Sequence, residues 1–228
     1  MTAVARFGDR LPGMRIALVF CGMALFAGLA GAQSPHTHRH SFGDAEKWAH
    51  VFDDPKRDAW QMPHAVIQAL ALPPEARIAD LGAGTGYFAA RLANTLPGAR
   101  VYAVDIEPDM VRYLQARAQR EGLRNVIALK GEPDDPRLPE KVDLILLVDV
   151  YHHIDARLAY FRRVRASLRP GGRVAIVDFK LDSPAGPPRA ARIAPEAVRA
   201  EMQAAGYTVA AEHSFLPYQY FLVFAPAS

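Results

Sequence analysis

From Arg77 onward the chain alternates short apolar runs with stretches whose apolar residues recur every three or four positions. RIADL (77–81), RVYAVD (100–105) and NVIALK (125–130) read as buried strands. VDLILLVDV (142–150) is an apolar run broken only by its aspartates, which suits a strand covered on both faces. Pro170-Gly171-Gly172 turns the chain into a fifth strand, RVAIVDF (173–179), and YTVAAEHSF (207–215) and YQYFLVFA (218–225) read as two closing strands. Between them lie helical patterns. One follows the first strand and places Phe88, Leu92 and Leu96 on one face. A second starts near Pro108, turns Met110 and Leu114 inward and stops at Gly122. A third, 155–168, aligns Leu158, Phe161, Val164 and Leu168, and a last one from Pro195 to Ala205 aligns Val198, Met202 and Ala205 before Gly206 ends it. Repeated strand–helix alternation predicts an α/β fold, a mostly parallel sheet with helices on both faces. Ligands of such sheets bind at the carboxyl ends of the strands, beside the topological switch point.

The N-terminus follows another pattern. IALVFCGMALFAGLA (16–30) is apolar and uncharged, arginines precede it, and Ala30-Gly31-Ala32 has the A-x-A form of a cleavage site. Residues 1–32 therefore read as a secretory signal peptide, with an exported, periplasmic or secreted product. The run is short for a membrane-spanning helix, which needs about 20 apolar residues; an uncleaved anchor formed by 16–30 is the alternative. QSPHTHRHS (33–41) reads as a flexible linker with alternating His36, His38 and His40, and 42–228 as one domain whose first segment, 42–63, is a lid.

Composition narrows the chemistry. The formal net charge is +3, and Arg6, Arg10 and Arg15 against Asp9 supply most of it. The remainder is nearly balanced and gives no electrostatic case for nucleic acid. The single cysteine, Cys21, lies in the N-terminal apolar run, so the domain has no disulfide, thiolate metal site or cysteine nucleophile, and no metal is expected.

The strongest motif is Asp80-Leu81-Gly82-Ala83-Gly84-Thr85-Gly86-Tyr87-Phe88. Its glycines let a ligand approach the backbone, and the turn runs from a strand into a helix N-terminus, which favours a carboxylate or another anion. The spacing argues against a dinucleotide, because Tyr87 stands where G-x-G-x-x-G needs a small residue. Asp80 would gain nothing from a pyrophosphate but suits an amino group. S-adenosylmethionine (SAM) has an amino group, a carboxylate and a sulfonium. Asp105, at the end of the second strand, suits the two ribose hydroxyls of an adenosine.

ADLGAGTGYF, VYAVDIEPDM, VDLILLVDVYHHI and LRPGGRVAIVDF, in that order, resemble the motifs of class I SAM-dependent methyltransferases over about residues 64–225. The resemblance implies a Rossmann-like seven-stranded sheet of order 3-2-1-4-5-7-6 with strand seven antiparallel. It implies a SAM site formed by Asp80, Gly82, Ala83, Gly84, Gly86, Tyr87, Asp105, Ile106, Met110 and Asp149. Asp80 and Gly82 would lie near the methionine moiety, and Ile106 and Met110 near the adenine. An acid after strand three, within Gly131-Glu132-Pro133-Asp134-Asp135, would meet the adenine amine; Glu132 is the candidate, and the proline makes the match imperfect. The acceptor would be a small molecule of unstated identity.

Asp149-Val150-Tyr151-His152-His153 follows the fourth strand, where the acceptor is presented. A protic acceptor must lose a proton, and a histidine titrating near neutrality can take it. His152 and His153 are the candidate bases; Tyr151 either takes part or shapes the pocket. Arg57 and Trp60 in the lid, Lys180 after the fifth strand, and Tyr218 and Tyr220 at the last hairpin are candidate acceptor contacts. Two other functions stay open: an exported binding protein on the same fold without turnover, and a nucleotide-cofactor oxidoreductase. Oligomeric state is not legible, and no lasting membrane insertion is expected once the signal is removed.

Overall fold

The structure, a computed structural model, describes residues 44–227. The signal, the anchor alternative and the histidine linker at 33–41 lie outside the described residues. Three short helices open the chain: α1 (Ala45–Phe52), α2 (Asp58–Gln61) and α3 (Pro63–Ala69), with a 3-10 turn at Pro55–Arg57. The alternating part follows as β1 (Arg77–Leu81), α4 (Tyr87–Thr95), β2 (Arg100–Asp105), α5 (Pro108–Arg120), β3 (Val126–Lys130) and β4 (Val142–Val148). Then come α6 (Arg157–Val164), β5 (Leu168–Phe179), α7 (Pro195–Ala204), β6 (Tyr207–His213) and β7 (Gln219–Pro226).

The sheet order is β3-β2-β1-β4-β5-β7-β6. The pairs through β5 are parallel, and β7 runs antiparallel to both β5 and β6. This is the expected Rossmann-like sheet. Strand alternation divides the core in two. Ile78, Leu144, Leu146, Ala175, Val177, Phe221 and Val223 face α3, α4 and α5, where Val66, Leu92 and Leu114 pack. Ala79, Ile145, Leu147, Val174, Ile176, Tyr220 and Leu222 face α6 and α7, where Phe161, Val164, Val198 and Met202 pack. Each fully buried Leu, Ile or Val contributes on the order of 1.5–3 kcal/mol, so this double layer holds the sheet without cross-links.

Differences from the sequence pattern are local. β4 stops at Val148 because Asp149 adopts φ 60°. The helix expected over 155–168 is α6 plus a 3-10 turn at Arg165–Ser167. Leu158 is exposed, and Tyr160 lies inward with Phe161. Leu168 already pairs with Val142, so Pro170-Gly171-Gly172 forms an irregularity inside β5 rather than a turn before it. A side chain at Gly172 would sit 2.9 Å from the carbonyl oxygens of Arg169 and Val142, which explains the glycine.

Candidate functional site

The carboxyl ends of β1, β2, β4 and β5 meet at one edge. Leu81 lies level with Val104 and Leu147, and Val148 with Val177. The chain after each strand therefore carries the site. After β1 the backbone N–H groups of Gly82 and Ala83 both donate to the Val104 carbonyl, at 2.8 and 3.0 Å. This folds the loop back over the switch point. Gly82 (φ 68°), Gly84 (φ 55°) and Gly86 (φ 92°) are all left-handed, which only glycine adopts cheaply. A Cβ at Gly82 would come within 2.4 Å of Val150.

Asp105 braces this loop. One carboxylate oxygen accepts the Gly84 N–H at 2.9 Å and the other accepts the Glu107 N–H at 2.9 Å. Each oxygen has a second lone pair for a ligand hydroxyl. Burial raises the Asp105 pKa, and the two backbone N–H groups oppose the rise. Asp80 is buried beneath the loop, and its Oδ2 has no hydrogen-bond partner; neither does the buried Thr85 hydroxyl. Burial pushes the Asp80 carboxyl up to about 7, the Ala89 N–H opposing and the Asp105 charge adding. A buried acid with one oxygen unsatisfied is costly unless something cationic joins it.

The N-terminal segment, expected from the sequence to be a lid, packs over the loop. The Phe52 ring lies 3.2 Å from where a Gly84 side chain would begin. Arg117 on α5 reaches Asp53 at 2.8 Å and the Thr85 carbonyl at 3.0 Å. Tyr87, on α4, lies between two guanidinium groups, Arg57 at 4.2 Å and Arg91 at 3.8 Å from its ring centre, and bonds through its hydroxyl to Asp58. Arg57 donates to Gln61 Oε1, Gln61 Nε2 donates to Gln219 Oε1 at 2.9 Å, and Gln219 Nε2 donates to Asp149. Asp149 Oδ2 lies 3.6 Å from Arg57. This ring of four side chains ties the lid to β4 and β7. Asp149 is pushed up to about 7, by burial first and then by the Asp178 charge, with Arg57 and His152 opposing.

On the opposite face, His152 is buried. Its Nδ1 lies 2.9 Å from both carboxylate oxygens of Asp178. Asp178 also accepts the His152 N–H at 3.2 Å and the Phe179 N–H at 2.7 Å. Burial lowers the His152 pKa, but the Asp178 hydrogen bond and charge, with Asp149 adding, raise it on balance. His153 is exposed, its ring centre 4.0 Å from that of His152.

Other expected residues fall elsewhere. The Tyr151 hydroxyl bonds to Glu201 at 2.6 Å, and the ring stacks on Phe161, so it points into the α6–α7 core. Lys180 Nζ is tied to the carbonyls of Leu216 and Pro217 at the hairpin. Trp60 leans on Phe179 and Tyr218, with ring centres 5.7 and 5.9 Å away. Tyr220 is buried with an unpartnered hydroxyl. Ile106 is exposed and Met110 buried at the start of α5. Glu132 sits between Lys130 and Arg137, at 3.7 and 3.5 Å, while Asp134 and Asp135 lie 3.4 and 3.8 Å from Arg163. Asp178, Gln61, Gln219, Asp53 and Arg117 were not singled out individually from the sequence. Polar residues at the ends of apolar runs, Asp178 and Gln219 above all, were the available signal.

The sheet order defines a Rossmann-like fold with the topology of methyltransferases. A family described as a methyltransferase domain matches residues 79–174. A SAM-dependent methyltransferase from Aquifex aeolicus superposes with a TM-score of 0.73 at 25% identity, over 79% of this chain and 97% of its own. A malonyl-[acyl-carrier protein] O-methyltransferase from Methylococcus capsulatus is 38% identical over 111 residues, 47% of this chain and 38% of that protein. A protein-L-isoaspartate O-methyltransferase from Aeropyrum pernix is 31% identical over 115 residues, 49% and 42% of the two chains. The chain thus spans less than half the length of these curated relatives. Over residues 79–174 and in its fold, the chain is similar to SAM-dependent methyltransferases.

Proposed function

We propose that this protein transfers a methyl group from SAM to a small-molecule acceptor. The observation that carries this reading is the buried, unpartnered Asp80 oxygen beneath the glycine loop. The donor set fits the cofactor. Asp80 would take the amino group, the left-handed loop of Gly82, Ala83, Gly84 and Gly86 would lie along the methionine part, and Asp105 would take the ribose hydroxyls. Tyr87 and Asp149 would border the same pocket through the lid, Ile106 and Met110 would face the adenine, and Glu132 its amine. Bound SAM supplies an electrophilic methyl on a sulfonium. The chain's own part is to hold the acceptor in line, exclude water through the Phe52 and Trp60 side of the lid, and remove a proton. Of the two histidines, His152 is the better base because Asp178 orients it; His153 and Tyr151 have no such role in this reading. Arg57, Trp60, Tyr218 and Tyr220 border the acceptor space, and Lys180 braces the hairpin.

Titration calorimetry with SAM tests the assignment. Asp105→Ala removes charge-assisted hydrogen bonds worth about 1.5–3 kcal/mol each, so affinity should fall by about tenfold or more. Unchanged affinity would remove Asp105 from the site, and no SAM binding by the parent would remove the function. We also infer that residues 1–32 direct export, on the strength of their charge, apolar run and A-x-A site, so that the mature chain begins at Gln33.

A further inference from the structure

We propose that Arg117 is a positioning residue for the cofactor: a clamp that joins the glycine loop to the N-terminal segment covering it, and so sets how long SAM stays bound. The inference rests on the SAM reading for what is held; the clamp itself does not depend on it.

α1 is fastened to α5 at both ends. At its start the Asp44 N–H donates to the Asp109 carboxylate at 3.0 Å, while the Asp44 side chain caps the helix by accepting the Lys47 N–H. At its end Asp53 accepts from Arg117 at 2.8 Å. The two fastenings fit each other because Asp44–Asp53 and Asp109–Arg117 each span about 12–14 Å of helix at 1.5 Å per residue. α1 therefore lies along α5. Ala45 is its one buried residue, so these polar contacts matter to its attachment.

Arg117 also reaches the loop. Its Nη1 donates to the Thr85 carbonyl at 3.0 Å as well as to Asp53, so the two hydrogens of one nitrogen join the two sides. Its Nε donates to Glu121 at 3.0 Å, which fixes the plane of the guanidinium. Its stem lies against Gly86: a Cβ there would stand 2.8 Å from Leu114 and 3.8 Å from Arg117 Cδ. Thr85 lies between Gly86 and Gly84, whose N–H Asp105 holds. Next to Asp53, the Phe52 ring stands over Gly84 and stacks on Trp48, with ring centres 5.4 Å apart. One guanidinium thus sets the spacing between Phe52 and the backbone that would line the methionine part of SAM. The side chains of the pair are only partly exposed, 14% at Arg117 and 24% at Asp53, so salt screens it less than a surface ion pair. Burial opposes the Arg117 charge, and the Asp53 hydrogen bond, with the charges of Asp53 and Glu121, outweighs it. A ligand lying along the loop would sit under Phe52, and its departure requires this cover to part from the loop. The Arg117–Asp53 contact must break in that step, so it acts on the dissociation rate.

Two measurements test this. Surface plasmon resonance with SAM passed over immobilised protein reads the dissociation rate. Arg117→Gln should raise that rate by about tenfold or more, the loss of one charge-assisted hydrogen bond, without slowing association. Asp53→Asn perturbs the same contact from the other side and should act in the same direction. The double variant should release SAM no faster than Arg117→Gln alone, because the pair acts as a unit. Arg117→Lys keeps the charge but not the planar fork, and should restore part of the difference. Arg120→Gln, which removes an exposed charge from the same helix, is the control and should leave the rate unchanged; an effect equal to that of Arg117→Gln would overturn the clamp in favour of general charge. Urea unfolding of each variant separates the two roles. Lower stability with an unchanged dissociation rate would make Arg117 merely structural and overturn the proposal, as would additive effects of the two substitutions. The second measurement needs no cofactor. Hydrogen exchange over residues 45–53 of the free protein should speed up in Arg117→Gln and in Asp53→Asn while β1 and β4 stay protected; unchanged exchange there overturns the clamp. A parent that binds no SAM defeats the cofactor reading, and with it the role in residence time, whereas the exchange result decides the clamp by itself.

Discussion

Asp80 offers the sharpest test of how the site is built, because the same buried carboxyl should weaken the free protein and strengthen its complex. Its pKa is pushed from 3.8 to about 7, by burial above all. The folded state therefore keeps a proton that the unfolded chain releases near pH 4. Stability should fall as pH rises through the window between about 4 and 7, and stay lower above it. The difference corresponds to about 4 kcal/mol in full, of which about 2–3 kcal/mol falls between pH 5 and 8. Asp80→Asn has nothing to ionise there. Urea unfolding at pH 5 and pH 8 should show the parent losing about 2–3 kcal/mol more than the variant over that interval. Comparing the two proteins cancels the other acid with a similar shift, Asp149, which is present in both. SAM binding should show the opposite sign. The parent's affinity should rise with pH as Asp80 ionises to meet the amino group, and the variant's should be weaker and flat on this account. Parallel stability curves for parent and variant would refute the buried-acid argument. Equal SAM affinities would refute the assignment of the amino group to Asp80.

Two further outcomes are expected. Tyr151→Phe should cost about 1–2 kcal/mol of stability through the lost bond to Glu201, yet leave the methyl-transfer rate and its pH profile within twofold of the parent; a loss of a hundredfold or more would return Tyr151 to the chemistry. N-terminal sequencing of the exported protein should begin at Gln33, and a mature chain retaining residues 16–30 would favour the membrane anchor.

Much of this architecture was legible because hydrophobic periodicity reports burial. The expected strands coincide with the observed ones to within two residues at each end, except that β5 begins at Leu168 rather than Arg173. The exact sheet order came from resemblance, since alternation alone does not say where β7 inserts. Errors arose where one residue broke a period. Leu158 fits an inward stripe with Phe161 and Val164, but α6 starts only at Arg157, whose guanidinium turns to Glu201. The residues around the glycine loop were legible because strand, turn and helix are contiguous. The contacts around His152 and Asp149 were not. His152 meets Asp178 across 26 residues, and Gln61 meets Gln219 across 158. Such partners depend on strand order and register, and no local pattern carries that information.

The strained residue after β4 shows why those long-range contacts separate as they do. Val148 and Val177 are register partners, so Asp149 and Asp178 stand at the same level of adjacent strands. Had β4 continued by strict alternation, Asp149 would share the face of Leu147, the α6–α7 side on which Asp178 and His152 stand. Two buried carboxyls would then crowd one histidine, and like charges at such range disfavour joint ionisation. Asp149 instead turns left-handed at φ 60°, a conformation that aspartate tolerates better than most residues. Its side chain goes to Gln219 and to the Arg57 side of the lid. The backbone strain, on the order of 1–3 kcal/mol, thus divides two acids between two tasks. Asp178 takes the hydrogen bond of His152, and Asp149 ties the N-terminal segment that covers the glycine loop. The separation is incomplete: the Asp178 charge still helps raise Asp149 to about 7. Asp149 therefore links the charges of Asp178 and His152 to the Arg57–Gln61–Gln219 ring.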